Sequence, residues 1–151
     1  MLRRRRLYNS LLLTVEDEEM RILALDYGAA RTGVAVSDPT GMIARPVGVV
    51  GRAGSDAGLR RVAELVAEHE AELVLVGLPL TLKGERGEQA RETEEFVEAL
   101  RGVVSVPVET FDERFTTRLA GRGPVSKAEE DARAAAHLLA GYLERAAGRG
   151  G

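Results

Sequence analysis

Length, composition and charge already limit what this chain of 151 residues can be. The length suits one domain with a sizeable core, and a hydrophobic content of 44% argues against a disordered chain. Because the sequence has no cysteine and only two histidines, disulfides, thiolate metal sites and a histidine zinc site are excluded. Any metal would need oxygen ligands, which favours magnesium or manganese. The net charge of -3 counts weakly against a nucleic-acid binder, although nearly all the cations are arginines, which suit phosphate contacts.

Residues 1–19 lack the apolar periodicity that a domain core requires, and they carry four consecutive arginines, Arg3–Arg6. The apolar run that follows is too short for a signal peptide, and no stretch is long enough to cross a bilayer. We expect a flexible tail here, or an extension upstream of a true start at Met20. The domain itself is predicted to span residues 20–147, with a disordered tail at 148–151.

The first half of the domain has the pattern of an antiparallel meander. The apolar run Arg21–Asp26 predicts a strand, and Gly33–Ser37 predicts a second strand after a turn over Tyr27–Thr32. Because the connection is short, the two strands are expected to form a hairpin. Residues 42–50 are interrupted by Pro46 and predict a third strand at an edge of the sheet.

The next part of the chain alternates helices with buried strands. Apolar residues at helical spacing predict one helix after a cap at Ser55 or Asp56, and another around residues 90–100. The apolar runs Leu73–Gly77 and Val106–Phe111 predict strands. The first of them does not alternate, which is typical of a strand buried on both faces of a parallel sheet.

The last helix begins at a capping box, since Ser126 and Glu129 stand three residues apart. It is predicted to run to Ala147, where glycines end it. The order of elements is therefore β-β-β-α-β-α-β-α. This order predicts an α/β domain in which a hairpin sheet is extended by parallel strands and crossover helices.

Acidic residues occupy informative places in this pattern. Asp26 ends the first strand, and Asp112 and Glu113 follow the last strand, so all three are expected at the carboxyl edge of the sheet. Asp131 shares a helix face with the apolar residues that must pack on the sheet. A carboxylate on such a face is costly unless it is paired or bound to a metal.

Each acid also has an alternative explanation. Asp26 is typical of a tight turn, Asp112 and Glu113 are typical of a solvated loop that pairs with Arg114, and Asp131 would suit an ion pair with an arginine at the core rim. Taken together, the acids favour a metal-dependent nuclease. Carboxylates brought close raise one another's pKa, and divalent ions relieve that repulsion while they activate a water at a phosphodiester.

Four blocks of sequence resemble the YqgF/RuvX family, whose members are described as Holliday junction resolvases or pre-16S rRNA nucleases. The blocks are LALDYGAARTGVAVSD at 23–38, VGLPLTLKGERG at 76–87, DERFTT at 112–117 and DARAAAHLLAGYL at 131–143. They occur in order and cover most of residues 20–147, which makes the signal specific although no block is specific alone.

The resemblance implies a ribonuclease H-like fold related to the RuvC resolvases, with a mixed five-stranded sheet flanked by helices. It implies a cytoplasmic hydrolase, a magnesium- or manganese-dependent nuclease that matures the 5′ end of 16S rRNA. The alternatives are a Holliday junction resolvase acting on branched DNA and a catalytically silent nucleic-acid-binding domain. We expect precursor rRNA as the partner, no membrane association, and a monomer or weak homodimer.

The same likeness assigns roles to individual positions. The catalytic and metal-binding acids it implies are Asp26, Glu113 and Asp131, with Asp112 as a further candidate metal ligand. The positions expected to contact nucleic acid are Arg31, Lys83, Arg114, Thr116 and Thr117, and those expected to shape the site are Gly28, Gly77, Pro79 and Gly84. One departure is Glu129, which stands where the family often has a lysine, so a phosphate contact at that helix entrance is in doubt.

Overall fold

The computed structural model of the chain describes residues 20–116 and 126–150. Its elements follow the predicted order: β1 (Ile22–Asp26), β2 (Arg31–Ser37), β3 (Ala44–Gly51), α1 (Asp56–Glu68), β4 (Leu73–Leu78), α2 (Glu88–Arg101), β5 (Val108–Asp112), a 3-10 turn (Glu113–Phe115) and α3 (Lys127–Gly150). None of the helices in these two segments is long and apolar enough to cross a membrane.

The strands form one mixed five-stranded sheet in the order β3-β2-β1-β4-β5. Strand β2 is antiparallel to both of its neighbours, β1 and β3, whereas β1, β4 and β5 run parallel to one another. The expected antiparallel meander, parallel extension and mixed sheet are therefore confirmed. Because the parallel strands all end at one edge, the carboxyl ends of β1 and β5 lie on the same side of the sheet, separated by β4.

Both faces of the sheet are buried, and each face has its own core. Leu23 and Leu25 of β1 pack with the apolar residues of α1 and α2, whereas Ile22 and Ala24 point to the other face and pack with α3. The same alternation holds in β4, which explains its unbroken run of apolar residues. Helix α3 therefore covers one face of the sheet alone.

Several element boundaries differ from those predicted. Strand β2 begins at Arg31 instead of Gly33. Its first two residues are polar and were therefore assigned to the turn, although Thr32 is fully buried. Strand β5 begins at Val108 because Pro107 has no N–H to donate to the ladder. Helix α3 continues past Ala147 to Gly150, since glycine weakens a helix by about 1 kcal/mol without forbidding it.

The helix caps match the sequence prediction and fix the register of the helices. The hydroxyl of Ser55 accepts a hydrogen bond from the backbone N–H of Gly58, which caps α1. At α3, the backbone N–H of Glu129 donates to the Ser126 hydroxyl, and the Ser126 N–H donates to the Glu129 carboxylate. This reciprocal pair sets where α3 begins and therefore which residues of its first turns face the sheet.

Candidate active site

Asp26 and Glu113 share a hydrogen bond at the carboxyl edge of the sheet. Asp26 is the last residue of β1, and Glu113 opens the 3-10 turn after β5. Strand β4 lies between them, and Gly77 is the residue that leaves room there. A Cβ at Gly77 would lie 2.8 Å from Oε2 and 3.0 Å from Cγ of Glu113, so the missing side chain lets Glu113 reach across β4.

The two carboxyl groups of this pair hold a proton more tightly than carboxyls in water. Burial, the charge on Asp26, and the hydrogen bond to it raise the pKa of Glu113 to about 7, with a smaller contribution from the charge on Asp112. Burial also raises the pKa of Asp26, helped by the charge on Asp131 and partly offset by the hydrogen bond with Glu113. Below about pH 7, Glu113 is therefore the protonated partner and donates to the Asp26 carboxylate.

The metal-free protein is expected to lose stability as the pH rises from about 4.5 to about 7. A carboxyl whose pKa is raised by folding binds more protons in the folded state, so its stabilising effect is full at low pH and disappears as the pH passes the folded pKa. Melting temperatures measured with EDTA across this range test the expectation, and Glu113→Gln should flatten the curve. If the melting temperature of Glu113→Gln fell with pH as steeply as that of the wild type, the titrating proton would not belong to Glu113.

Asp131 lies near this pair but faces a cation. Its Oδ2 accepts a hydrogen bond from Nε of Arg31 at 2.7 Å, and the two side chains are 23% and 42% exposed respectively. The ion pair with an arginine, which was the alternative explanation for Asp131, is thus present. Within residues 20–116 and 126–150, no three acidic or histidine side chains stand together as a ready metal site. The structure therefore brings Asp26 and Glu113 into contact, whereas Asp131 lies only near enough for its charge to act on Asp26 and is paired with Arg31.

Replacement of Arg31 by glutamine should destabilise the metal-free protein at pH 8 by about 1 kcal/mol, or a few degrees in Tm. The variant leaves Asp131 without its counter-charge while Asp26 stands nearby. Arg61→Gln is the matched control, because Arg61 pairs with Glu64 and Glu68 on the exposed surface of α1 and its loss should not change Tm measurably. Equal Tm values for both variants would show that the Arg31–Asp131 ion pair stabilises the protein no more than the exposed ion pairs of Arg61 do.

The close contact between α3 and β2 fixes the place of Asp131. A Cβ on Gly33 in the middle of this contact would overlap the backbone carbonyl oxygen of Asp131. The helix backbone therefore lies directly on β2, and no other residue fits at Gly33. Gly33 is not among the predicted site residues, although a glycine within a strand pattern is a known sign of close backbone approach.

Asp112 binds Arg114. The Arg114 guanidinium donates to both Asp112 oxygens, with Nη2–Oδ2 at 2.6 Å, and this contact holds the pKa of Asp112 below its usual range. Nη1 of Arg114 reaches the carbonyl oxygen of Leu82 at 3.3 Å. Arg114 thus ties the loop after β4 to the 3-10 turn that carries Glu113, a positioning role beside its expected contact with nucleic acid.

The remaining predicted positions surround this edge. Gly28 forms the tight β1–β2 turn, where a Cβ would collide with the carbonyl oxygen of Arg31, and Gly84 has a positive φ of 83° against the Arg114 guanidinium. Pro79 is half-buried after β4, while Lys83 and Thr116 are exposed. Thr117 lies outside the described residues.

Two aromatic residues lie close to the site in sequence. Tyr27 follows Asp26, and its ring stacks on Phe96 with centroids 4.4 Å apart and packs against the core. Its ring face is therefore engaged inside the protein. Within residues 20–116 and 126–150, the exposed aromatic is Phe115, two residues after Glu113, with the guanidinium of Arg145 over its ring.

Solved structures with similar folds include two resolvases. Thermus thermophilus RuvC in complex with a Holliday junction substrate aligns with a TM-score of 0.57 at 21% identity, covering 84% of this chain and 96% of that one. The fowlpox virus resolvase in complex with Holliday junction DNA aligns with a TM-score of 0.51 at 12% identity, covering 84% and 99%. These likenesses confirm the expected ribonuclease H-like fold.

Sequence relatives cover most of the chain. The family model RuvX, described as Holliday junction resolvase, matches residues 20–145. Proteins named "Putative pre-16S rRNA nuclease" from Chloroflexus aggregans and Rhodococcus opacus are 41% and 42% identical, respectively, to this chain. The alignments cover 83% and 82% of this chain, and 94% and 77% of the respective relatives. With the carboxyl pair at the sheet edge, this match shows that the chain belongs to the RuvX family and is a nuclease.

Proposed function

We propose that this nuclease cleaves precursor 16S rRNA in the cytoplasm, with Asp26, Glu113 and Asp131 as its catalytic acids and residues 20–147 as the nuclease domain. The observation that carries the proposal is the hydrogen-bonded pair of Asp26, at the end of β1, and Glu113, just after β5, held together at a sheet edge. Protein folds rarely leave two such groups in contact without a use, because each raises the cost of ionising the other.

A divalent metal ion, magnesium or manganese, fits the donor set of this site. Oxygen ligands are the ones that these ions prefer, and the raised pKa values of Asp26 and Glu113 mark negative charge that a cation would stabilise. Asp131 would complete the set once it exchanges Arg31 for the ion. Asp112 is the weaker candidate ligand, since Arg114 occupies both of its oxygens.

The chain's own residues then divide the remaining work. A bound ion would supply an activated water and stabilise charge on the phosphodiester. Glu113 would have to lose its proton to serve as a metal ligand, so the site would be ready to bind a cation at neutral or alkaline pH. Arg31, released from Asp131, stands at the start of β2 where its guanidinium can bind a phosphate oxygen. Lys83, Thr116 and Thr117 are proposed to contact the flanking backbone.

The substrate is proposed to be RNA because relatives at about 40% identity are named for pre-16S rRNA. The family model's description as Holliday junction resolvase favours a second candidate, cleavage of branched DNA. Symmetric cutting of a junction usually needs two copies of a site in a symmetric dimer, whereas a monomer or weak dimer suffices for RNA.

A direct competition separates these candidates. Equal amounts of a precursor 16S rRNA fragment and a four-way DNA junction are incubated with the protein and manganese at physiological salt. We expect cuts in the RNA and an intact junction, with EDTA and Asp26→Asn abolishing the cuts. Paired symmetric cuts in the junction with intact RNA would reverse the choice of substrate. Binding of either substrate without any cut would support the catalytically silent alternative.

A further inference from the structure

A small aromatic cluster lies beside Glu113 on the β5 side of the site. The rings of Phe111 and Phe115 are 6.1 Å apart, and Phe111 meets Tyr142 of α3 edge to face at 5.5 Å. Phe111 and Tyr142 pack against the core beneath α3. Phe115 belongs to neither core and is 41% exposed, the one aromatic among the exposed large apolar side chains of the described residues.

The exposed ring is held in place by a cation. The guanidinium carbon of Arg145 lies 3.8 Å from the centroid of the Phe115 ring, a cation–π contact. Arg145 follows Asp131 by fourteen residues on α3, which is about 21 Å along a helix. Asp131 and Arg145 therefore lie about four turns apart on the same helix.

The position of Phe115 relative to the acids is set by a rigid turn. Phe115 closes the 3-10 turn that Glu113 opens, and two residues of such a turn advance about 4 Å. The turn is capped by Asp112, which accepts a hydrogen bond from the backbone N–H of Arg114. The exposed ring and its cation therefore lie beside Glu113, at the other end of the same short turn.

We propose that Phe115, with Arg145 against its ring, is a stacking platform for one unpaired nucleobase adjacent to the bond that is cleaved. The proposal rests on the proposed nuclease site at Asp26 and Glu113 and adds a subsite to it. An exposed aromatic ring binds any base face, and an adjacent arginine binds both the base plane and the backbone phosphate. A platform of this kind requires a base outside a duplex, which favours single-stranded RNA.

The absence of tryptophan in this chain allows a direct test. Phe115→Trp introduces a single tryptophan, whose fluorescence falls when a base stacks on it. The full-length protein also carries Asp26→Asn, so that a short single-stranded RNA of mixed sequence stays intact with magnesium present. Met42→Trp is the matched control, because Met42 is 75% exposed in the connection between β2 and β3, at the opposite end of the sheet.

We expect the RNA to quench Phe115→Trp and to leave Met42→Trp unchanged. Replacement of one nucleotide at a time by an abasic ribose should remove the quenching at one position of the RNA only. In the protein without an introduced tryptophan, Phe115→Leu should weaken RNA binding roughly 5- to 100-fold. The Phe115→Leu variant should bind the intact RNA and the RNA with the abasic ribose at that position equally well. Phe115→Tyr, which keeps the ring, should bind like the wild type.

RNA that binds without quenching Phe115→Trp, or that binds Phe115→Leu as tightly as the wild type, would overturn the platform. The nuclease proposal would survive that result if the wild type still cleaves the RNA. Quenching by an RNA that the wild type does not cleave would support the platform and overturn the proposed cleavage. If no RNA binds the wild type, both proposals fall.

Discussion

Asp26→Asn is expected to reduce metal-dependent cleavage at least about a thousandfold while the fold stays intact. The amide keeps the size of the side chain but removes the negative charge that would hold a cation beside Glu113. Stabilisation of the transition state by a metal ion is worth several kcal/mol, which corresponds to such a factor. Initial rates on a precursor rRNA fragment with manganese measure the loss, and circular dichroism checks the fold.

The control for this variant is Asp38→Asn, at the far end of β2. The oxygen that accepts hydrogen bonds from the backbone N–H groups of Met42 and Ile43 is retained in asparagine, so the loop should keep its conformation. Its cleavage rate should equal that of the wild type. Full activity of Asp26→Asn in the same assay would exclude the carboxyl pair as the catalytic site.

Gly33→Ala is expected to destabilise the protein by roughly 3 kcal/mol and lower Tm by about 10 °C, since overpacking against a rigid backbone is costly. The added methyl group would overlap the carbonyl oxygen of Asp131, so α3 must move away from β2. The shift also displaces the Asp131 carboxylate from the other acids. Folded variant protein should therefore cleave more slowly than the wild type at a temperature where both are folded.

Gly48→Ala on the neighbouring strand β3 is the matched control, because a Cβ at Gly48 would meet no atom within 4 Å. Its Tm should stay within a degree or two of the wild type. If Gly33→Ala were equally harmless, α3 would have to adjust without cost, and the placement of Asp131 by helix–strand contact would be wrong.

The order of elements and the position of the acids followed from local patterns in the sequence. Alternation and helical spacing located the elements, and the Ser126–Glu129 box located the start of α3, which is confirmed by its hydrogen bonds. The end of a parallel strand is also a local property, so Asp26 and Glu113 could be assigned to one edge. These features depend on neighbours in sequence or on general rules of sheet topology.

Contacts between distant residues were not accessible in the same way. The ion pair of Arg31 with Asp131 depends on how closely α3 lies on β2. Gly33 sets this distance because it has no side chain, and its sequence neighbourhood does not indicate which helix lies against it. Tyr27 and Phe115 are both aromatic residues close in sequence to a predicted catalytic acid, so the sequence does not distinguish their roles. Only the packing shows that Tyr27 stacks inward on Phe96, whereas Phe115 is held at the surface by Arg145.

The most direct test of the proposed site is a crystal of the full-length protein soaked in manganese, with the ion located by its anomalous scattering. The account predicts manganese bound by Asp26 and Glu113, with Asp131 turned from Arg31 to the ion. Manganese bound elsewhere, with Asp131 still paired to Arg31 and Glu113 still hydrogen-bonded to Asp26, would contradict it.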